Sequence, residues 1–185
     1  MRYVQYSRGG SPHPGLLYNE SVIDLTALLE LLGPPVPRGL CSLRAFIEAG
    51  EQLWEVVTHG LGSTDWDTLQ QLSGCYALDE VAFEAPLQDA HKLILLAGNY
   101  REHIREVGYR VPQAPESVTP QFFMKPPSTT VIGPGQPVRL SRGSIWVDWE
   151  AELAVVIGKR GRYISEDQAM DFVFGYTILN DISER

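Results

Sequence analysis

The sequence has few cysteines, an excess of acidic over basic residues, and no long apolar run. Its two cysteines, Cys41 and Cys75, lie in unrelated segments without a CxxC or a Cys/His spacing. A disulfide framework and a zinc knuckle are therefore not indicated, and free thiols in a reducing cytoplasm are the preferred interpretation. With 15 basic against 23 acidic residues and a formal net charge of -8, the chain would be repelled by nucleic acid and by an anionic membrane.

The apolar runs LLELL, LILLAG and LAVVIG are far shorter than a membrane span, and MRYVQYSRGG lacks the apolar segment of a signal peptide. We therefore expect a soluble, cytoplasmic protein. A metal ion or a small molecule is the expected partner, rather than a nucleic acid or a membrane.

Residues 1–88 predict a small N-terminal domain, with a boundary near residue 88. The pieces YVQYS, GLLYN and SVIDL alternate polar and apolar residues and are separated by turns, which is typical of short antiparallel strands. Helical patterns follow at residues 25–32, 42–49 and 65–72, and Ser42 is a plausible N-cap for the second.

Residues 89–185 have a different pattern. LILLA predicts a strand, REHIREVG a short helix, and a long proline-rich loop follows, of a kind that usually covers or builds a site. EAELAVVIG predicts a strand, GKRGRYI a turn and a further short strand, and GYTILND a last strand. Between them EDQAMDFVF predicts a helix, opened by a capping box of Ser165 and Gln168.

Three carboxylates, Asp148, Glu150 and Glu152, occupy every second position at the start of the strand EAELAVVIG. Alternation would place them on one face, and a neighbouring strand ending at Asp181 would add a fourth. The apolar run 153–157 suggests a strand covered on both faces, where uncompensated carboxylates are costly. An all-oxygen set of Glu150, Glu152 and Asp181 suits magnesium, manganese or calcium; the alternative is a solvated edge strand with its polar face outward.

His103 and Glu106 are three residues apart and share a helical face, so the carboxylate can orient the imidazole as a general base. The alternative is an ordinary exposed helix with charged pairs. Lys125, in QFFMKPPSTT, is a candidate for binding an anionic substrate or a surface lysine. The remaining histidines, including His13, have no companion acid in sequence and are assigned no role.

Four ordered segments, LAGNYREHIREVG, FFMKPPSTTVIGPGQPV, VDWEAELAVVIGK and FGYTILNDISER, resemble the fumarylacetoacetate hydrolase family over residues 92–185. The resemblance implies an α+β, mainly β fold: a mixed β-roll, incomplete at its C-terminus, preceded by a small α+β N-terminal domain. It also implies a homodimer and a bound Mg²⁺, with Mn²⁺ or Ca²⁺ as alternatives.

The resemblance assigns roles to individual residues. Glu150, Glu152 and Asp181 match metal ligands, His103 and Glu106 match the catalytic dyad, and the remaining candidates for substrate binding are Lys125 and Tyr100. The implied function is hydrolysis, lyase chemistry or isomerisation of small 2-oxo or 1,3-diketo acids, such as acylpyruvates, through a metal-chelated enolate. C–C bond cleavage and decarboxylation are both included.

Two departures from the family pattern bear on these expectations. Asn99 stands where the founding hydrolase has aspartate, which favours the acylpyruvate, decarboxylase or isomerase branch. Family members also continue past NDISER with an active-site lysine and a TGTPxGVG-like segment, so we expect a fragment, a chain completed by a partner, or a rearranged fold. The alternative functions are an inactive, truncated chain with a scaffold or dimerisation role, and a structural metal-binding module.

Overall fold

A computed structural model describes residues 1–106, 108 and 119–184, and the side chains of His103 and Glu106 lie outside that description. The chain forms two compact units, Met1–Leu87 with Gly133–Arg185, and Gln88–Ile132. One limit of these units falls beside the predicted boundary, but residues 133–185 group with the N-terminal residues. The division into domains 1–88 and 89–185 stays a prediction.

A five-stranded antiparallel sheet organises the N-terminal part of the first unit. Two-residue turns at Gly9–Gly10 and Asn19–Glu20 join the first three strands, and all four turn residues have positive φ, which matches the twist of antiparallel strands. The predicted strands are thus confirmed. The three predicted strands are β1 Arg2–Arg8, β2 Ser11–Tyr18 and β3 Ser21–Asp24, and the sheet also contains β4 Cys75–Ala77 and β5 Ala82–Glu84. Across the sheet the order is β4-β3-β2-β1-β5.

Four helices accompany this sheet: α1 Leu25–Leu32, α2 Leu43–Glu48, α3 Glu51–Ser63 and α4 Trp66–Leu69. The first has the predicted bounds, and Ser42 caps the second by accepting a hydrogen bond from the Ala45 N–H at 3.2 Å. The third was not predicted, because Gly60 and Gly62 weaken its helical pattern. At Gly60 a Cβ would lie 2.3 Å from Leu32 Cδ1, so the glycine permits the two helices to pack closely.

The hydrophobic core joins α1–α4 to one face of the five-stranded sheet. Its buried side chains are Leu16, Ile23, Leu25, Leu28, Leu29, Leu43, Phe46, Ile47, Val57, Leu61 and Leu69. Two residues from the far end of the chain, Val156 and Phe174, also pack against this cluster. The C-terminal strands of the first unit are therefore anchored on the N-terminal core.

These C-terminal strands form two antiparallel pairs, β9 Ala151–Ile157 with β10 Val173–Asn180, and β8 Val147–Asp148 with β11 Ser183–Glu184. The strand predicted from EAELAVVIG is present, but the coverage of both faces predicted from the apolar run 153–157 is wrong: Leu153, Val155 and Ile157 are exposed. Only the face that carries Val156 packs on the core.

The segment between β9 and β10 contains the predicted helix but differs from the prediction in two ways. GKRGRYI contains no strand, and the helix predicted from EDQAMDFVF is a 3₁₀ helix of residues Glu166–Phe172. Ser165 makes no side-chain cap: its hydroxyl donates to Gln168 Oε1 at 2.9 Å and accepts no hydrogen bond from the N–H groups of the helix. A second 3₁₀ helix spans Leu78–Glu80.

The second unit contains the antiparallel pair β6 Leu93–Ala97 and β7 Gln121–Lys125, with helices α5 Arg101–Glu106 and α6 Pro127–Thr130. Strand β7 lies within the segment predicted as a loop, because the surrounding prolines obscured the apolar run QFFM. None of the helices in the described part of the chain is long and apolar enough to cross a membrane.

Asp24 joins the sheet to α1. Its Oδ1 accepts hydrogen bonds from the N–H groups of Thr26 at 2.8 Å and Ala27 at 3.1 Å, and its Oδ2 accepts one from the Tyr6 hydroxyl at 2.6 Å. Burial raises the pKa of Tyr6 far above its ordinary value, and the hydrogen bond to Asp24 and the negative charge of Asp24 raise it further. Asp24 therefore satisfies helix donors and a buried hydroxyl at once.

Asp24→Ala is expected to lower the free energy of unfolding by about 2 to 4 kcal/mol, because both an N-cap and the acceptor for a buried hydroxyl are lost. Urea unfolding followed by circular dichroism measures this change. Asp24→Asn retains an acceptor and serves as the matched control, with a smaller loss. Equal stability of the alanine variant and the parent protein would contradict the proposed role.

Candidate functional site

The pairing of β9 with β10 positions the predicted metal ligands. Glu152 lies opposite Leu179 and Ala151 opposite Asn180, and the Asp181 N–H donates to the Glu150 carbonyl at 2.8 Å. Glu150 and Asp181 are therefore opposite each other at the end of the pair. Glu150 and Glu152 are two residues apart, so their side chains lie on the same face of the strand pair. Residues opposite each other on paired strands also share a face, so Asp181 lies on the face that carries Glu150 and Glu152.

Asn180 supports this end of the strand pair. The Glu150 N–H donates to Asn180 Oδ1 at 3.1 Å, so a side-chain amide takes the place of a ladder carbonyl. The sequence motifs assign no role to Asn180. The available signal was its position directly before the predicted ligand Asp181.

The surroundings of the four acidic residues differ. Asp181 is buried at 4% exposure, Glu150 and Glu152 are half-buried, and Asp148 is exposed, with its Oδ1 accepting from the Trp149 N–H at 2.9 Å. A buried carboxylate requires hydrogen bonds or a cation to offset its loss of hydration. The three less exposed groups are thus the ones that the β9–β10 register brings together.

Donor chemistry and register fit a hard divalent cation, since all the candidate ligand atoms are carboxylate oxygens. The side chains do not form a closed ligand set, however. Within residues 1–106, 108 and 119–184, no group of three or more His, Cys, Asp or Glu side chains is arranged to hold a metal ion. Binding would require the three side chains to converge and solvent or substrate oxygens to complete the coordination.

The remaining predicted site residues lie in the second unit. His103 and Glu106 belong to α5 by their backbone, but the predicted dyad itself falls outside the described side chains. The carbonyl of Tyr100 accepts from the Ile104 N–H at 3.1 Å and so begins the helix, and the Tyr100 side chain is 43% exposed. Lys125, at the end of β7, is half-buried opposite Leu93.

A second polar cluster lies in the N-terminal part of the first unit, in an open cleft of about 650 Å³. His13 Nδ1 is 3.7 Å from Asp24 Oδ2, and the imidazole stacks on Tyr6 with centroids 5.5 Å apart. The sequence showed no acid near His13, because Asp24 comes from the adjacent strand. Since Asp24 already accepts three hydrogen bonds, the cluster is explained by its role in the fold.

A family model and curated proteins from other organisms match this chain. The model of the fumarylacetoacetate (FAA) hydrolase C-terminal family matches residues 92–185. The mitochondrial oxaloacetate tautomerase fahd2 of Xenopus laevis is 34% identical over 189 residues, which cover 100% of this chain and 53% of that protein. The mitochondrial oxaloacetate tautomerase FAHD2A of Bos taurus is 35% identical, with 100% and 54% covered.

Two solved structures share the fold. The fumarylacetoacetate hydrolase of Exiguobacterium antarcticum has a TM-score of 0.72 and 25% identity, and covers 100% of this chain and 57% of its own. The maleylpyruvate hydrolase of Sphingobium sp. SYK-6, solved with manganese(II) and pyruvate, has a TM-score of 0.68 and 28% identity, with 100% and 60% covered. These structures confirm the predicted fold class. The chain spans about half the length of the curated relatives it matches.

Proposed function

Because the chain belongs to the fumarylacetoacetate hydrolase family, we propose that it carries the metal-binding part of an enzyme acting on a small 2-oxo or 1,3-diketo acid. The family expected from the four sequence motifs is thereby confirmed. The observation that carries the proposal is the register that sets Glu150 opposite Asp181, with Glu152 on the same face. The hydrolases, isomerases and tautomerases among its relatives support enzymatic activity.

Glu150, Glu152 and Asp181 would hold the cation. A divalent ion there would act as a Lewis acid toward the oxo group of the substrate. Mg²⁺ and Mn²⁺ both prefer oxygen ligands, and the manganese in the Sphingobium maleylpyruvate hydrolase supports the use of a divalent metal. Attraction of the cation would also offset the cost of burying Asp181.

For the reaction, we favour keto–enol tautomerisation of a small 2-oxo acid, because the Xenopus laevis and Bos taurus relatives, which match this chain over its whole length, are named oxaloacetate tautomerases. From the keto acid to the enol, a proton leaves the carbon next to the oxo group and the oxo oxygen gains one. The reverse direction returns a proton to the carbon and removes one from the oxygen, and no other bond breaks either way. His103, oriented by Glu106, would carry the proton. The Lys125 ammonium and the Tyr100 hydroxyl would bind the substrate carboxylate.

C–C cleavage or decarboxylation of an acylpyruvate-like acid would use the same stabilisation of charge on the oxo oxygen, and these remain the alternatives within the family. The homodimer and the cytoplasmic location are likewise proposals, and the two tautomerases above are named as mitochondrial proteins.

Glu150→Gln and Asp181→Asn are each expected to weaken Mn²⁺ binding by more than about 10-fold, since each removes a charged ligand while keeping the side-chain size. Calorimetric titration of the purified chain with Mn²⁺ and with Mg²⁺ measures the affinity. Asp148→Asn removes the same charge from an exposed position and should leave the affinity within about 2-fold. Unchanged binding in both ligand variants would refute the metal site.

Turnover is tested by following the ultraviolet absorbance of enol-oxaloacetate with added Mg²⁺ or Mn²⁺ and with a chelator. We expect the enol to disappear at a rate that depends on the added metal. This rate should be about 100-fold or more lower in His103→Ala and in Glu106→Gln, because general acid–base catalysis accelerates a reaction by about this factor.

Metal binding without any turnover would instead favour the alternative that the chain is an inactive scaffold. Size-exclusion chromatography would then show whether the chain dimerises. Turnover that ignores the chelator would contradict the proposed metal chemistry, whatever the effect of the dyad variants.

A further inference from the structure

The β9–β10 pair contains one irregularity, a β-bulge at Phe174. Ile157 lies opposite Val173, but Val156 lies opposite Gly175, so Phe174 is the extra residue on its strand. From there the register runs without a further shift to Ala151 and Asn180, and the same register continues where Ser183 lies opposite Asp148. The bulge therefore determines every later pairing in this part of the unit.

This bulge decides on which face Asp181 lies. If the pairing of Ile157 with Val173 continued without an extra residue, Glu150 would lie opposite Asn180 and Asp181 opposite Trp149. A shift of one residue moves a side chain to the opposite face of a strand pair. Asp181 would then point away from the face that carries Glu150 and Glu152, and the three carboxylates could not bind one ion.

Phe174 is held by an aromatic cage, which consists of Tyr3, Phe46 and Trp54. Its ring centroid lies 4.9 Å from that of Trp54, 5.2 Å from that of Tyr3 and 6.4 Å from that of Phe46. Trp54 is itself fixed, since its Nε1 donates to the Phe46 carbonyl at 3.2 Å. The N-terminal strand β1 and helices α2 and α3 thus hold a residue of the C-terminal strand pair.

Two neighbouring features keep the bulge against the cage. The Gly158 N–H donates to the Phe172 carbonyl at 2.8 Å, and a Cβ at Gly158 would lie 2.7 Å from Trp54 Cη2 and 2.8 Å from Phe174 Cβ. One residue further on, Lys159 Nζ lies 2.8 Å from Glu51 Oε2. The absence of a side chain at Gly158 leaves room for the Phe174 and Trp54 rings to approach.

We propose that Phe174 is a positioning residue for the metal site, and that the N-terminal residues of the cage set the register that brings Glu150, Glu152 and Asp181 to one face. The role in metal binding rests on the proposed function, whereas the effect on register is independent of it. The N-terminal part of the chain thereby contributes to metal binding, although none of its residues is a proposed ligand.

The test compares three substitutions of Phe174 with a control on the same strand. Phe174→Tyr keeps the ring, Phe174→Leu keeps apolar volume without the ring, and Phe174→Ala removes both. Tyr176→Ala removes an aromatic ring that is 55% exposed. For each variant, Mn²⁺ affinity is measured by calorimetry, stability by urea unfolding, and register by the cross-strand nuclear Overhauser effects between β9 and β10.

We expect the tyrosine variant and Tyr176→Ala to bind Mn²⁺ within about 2-fold of the parent chain, the leucine variant to bind more weakly, and the alanine variant to lose about 10- to 100-fold, as is usual for groups that orient metal ligands. The variants that bind Mn²⁺ more weakly should also lose the cross-strand Overhauser effects expected when Glu150 lies opposite Asp181. If the alanine variant does not fold, the Mn²⁺ affinity and the register of the leucine variant test the inference.

A folded leucine or alanine variant that keeps both the parent register and the parent affinity would overturn the inference. If the parent chain binds no metal, the proposed function fails, but the Overhauser effects still show whether Phe174 sets the register. If the variants shift register and the parent binds Mn²⁺, loss of affinity must follow; unchanged affinity would also overturn the inference.

Discussion

The hydrogen bond from the Asp181 N–H to the Glu150 carbonyl, 2.8 Å long, holds two carboxylate-bearing residues opposite each other at the end of the β9–β10 pair. An isolated pair of strands is at best marginally stable in water. Here it is stabilised on one face, where Val156 and Phe174 pack on the N-terminal core. Because packing selects a face, and the face depends on the register, the same contacts that stabilise the strands also position the acids.

The chemistry of the candidate site follows from this arrangement. Asp181 is almost fully buried and Glu150 and Glu152 are half-buried, so close approach of the three groups would be opposed by like-charge repulsion and lost hydration unless a cation offsets both. Asp148, which is exposed in β8, does not share this constraint. The difference in burial separates the proposed ligands from an acid that belongs to the same alternating sequence pattern.

Local patterns predicted much of the fold. Helix α1 has its predicted bounds because Asp24 caps it and Gly33 ends it with φ of 87°, and the short strands follow their alternation. Patterns failed where packing decides: Gly60 hid α3 although it fits against Leu32, and prolines hid β7. The candidate ligands were found by spacing and resemblance, but neither the bulge at Phe174 nor its aromatic cage has a local signal, since the partners come from distant segments.

Paramagnetic broadening by Mn²⁺ tests the central claim most directly, because the effect depends on distance from the ion. In nuclear magnetic resonance spectra of the isotope-labelled chain at substoichiometric Mn²⁺, the backbone signals of Glu150, Glu152 and Asp181 should broaden first. The backbone signals of the exposed tips of β1 and β2 should remain sharp, and excess Mg²⁺ should restore the broadened signals. Broadening that is spread evenly over the acidic surface, or confined to residues outside β9, β10 and their ends, would contradict the account.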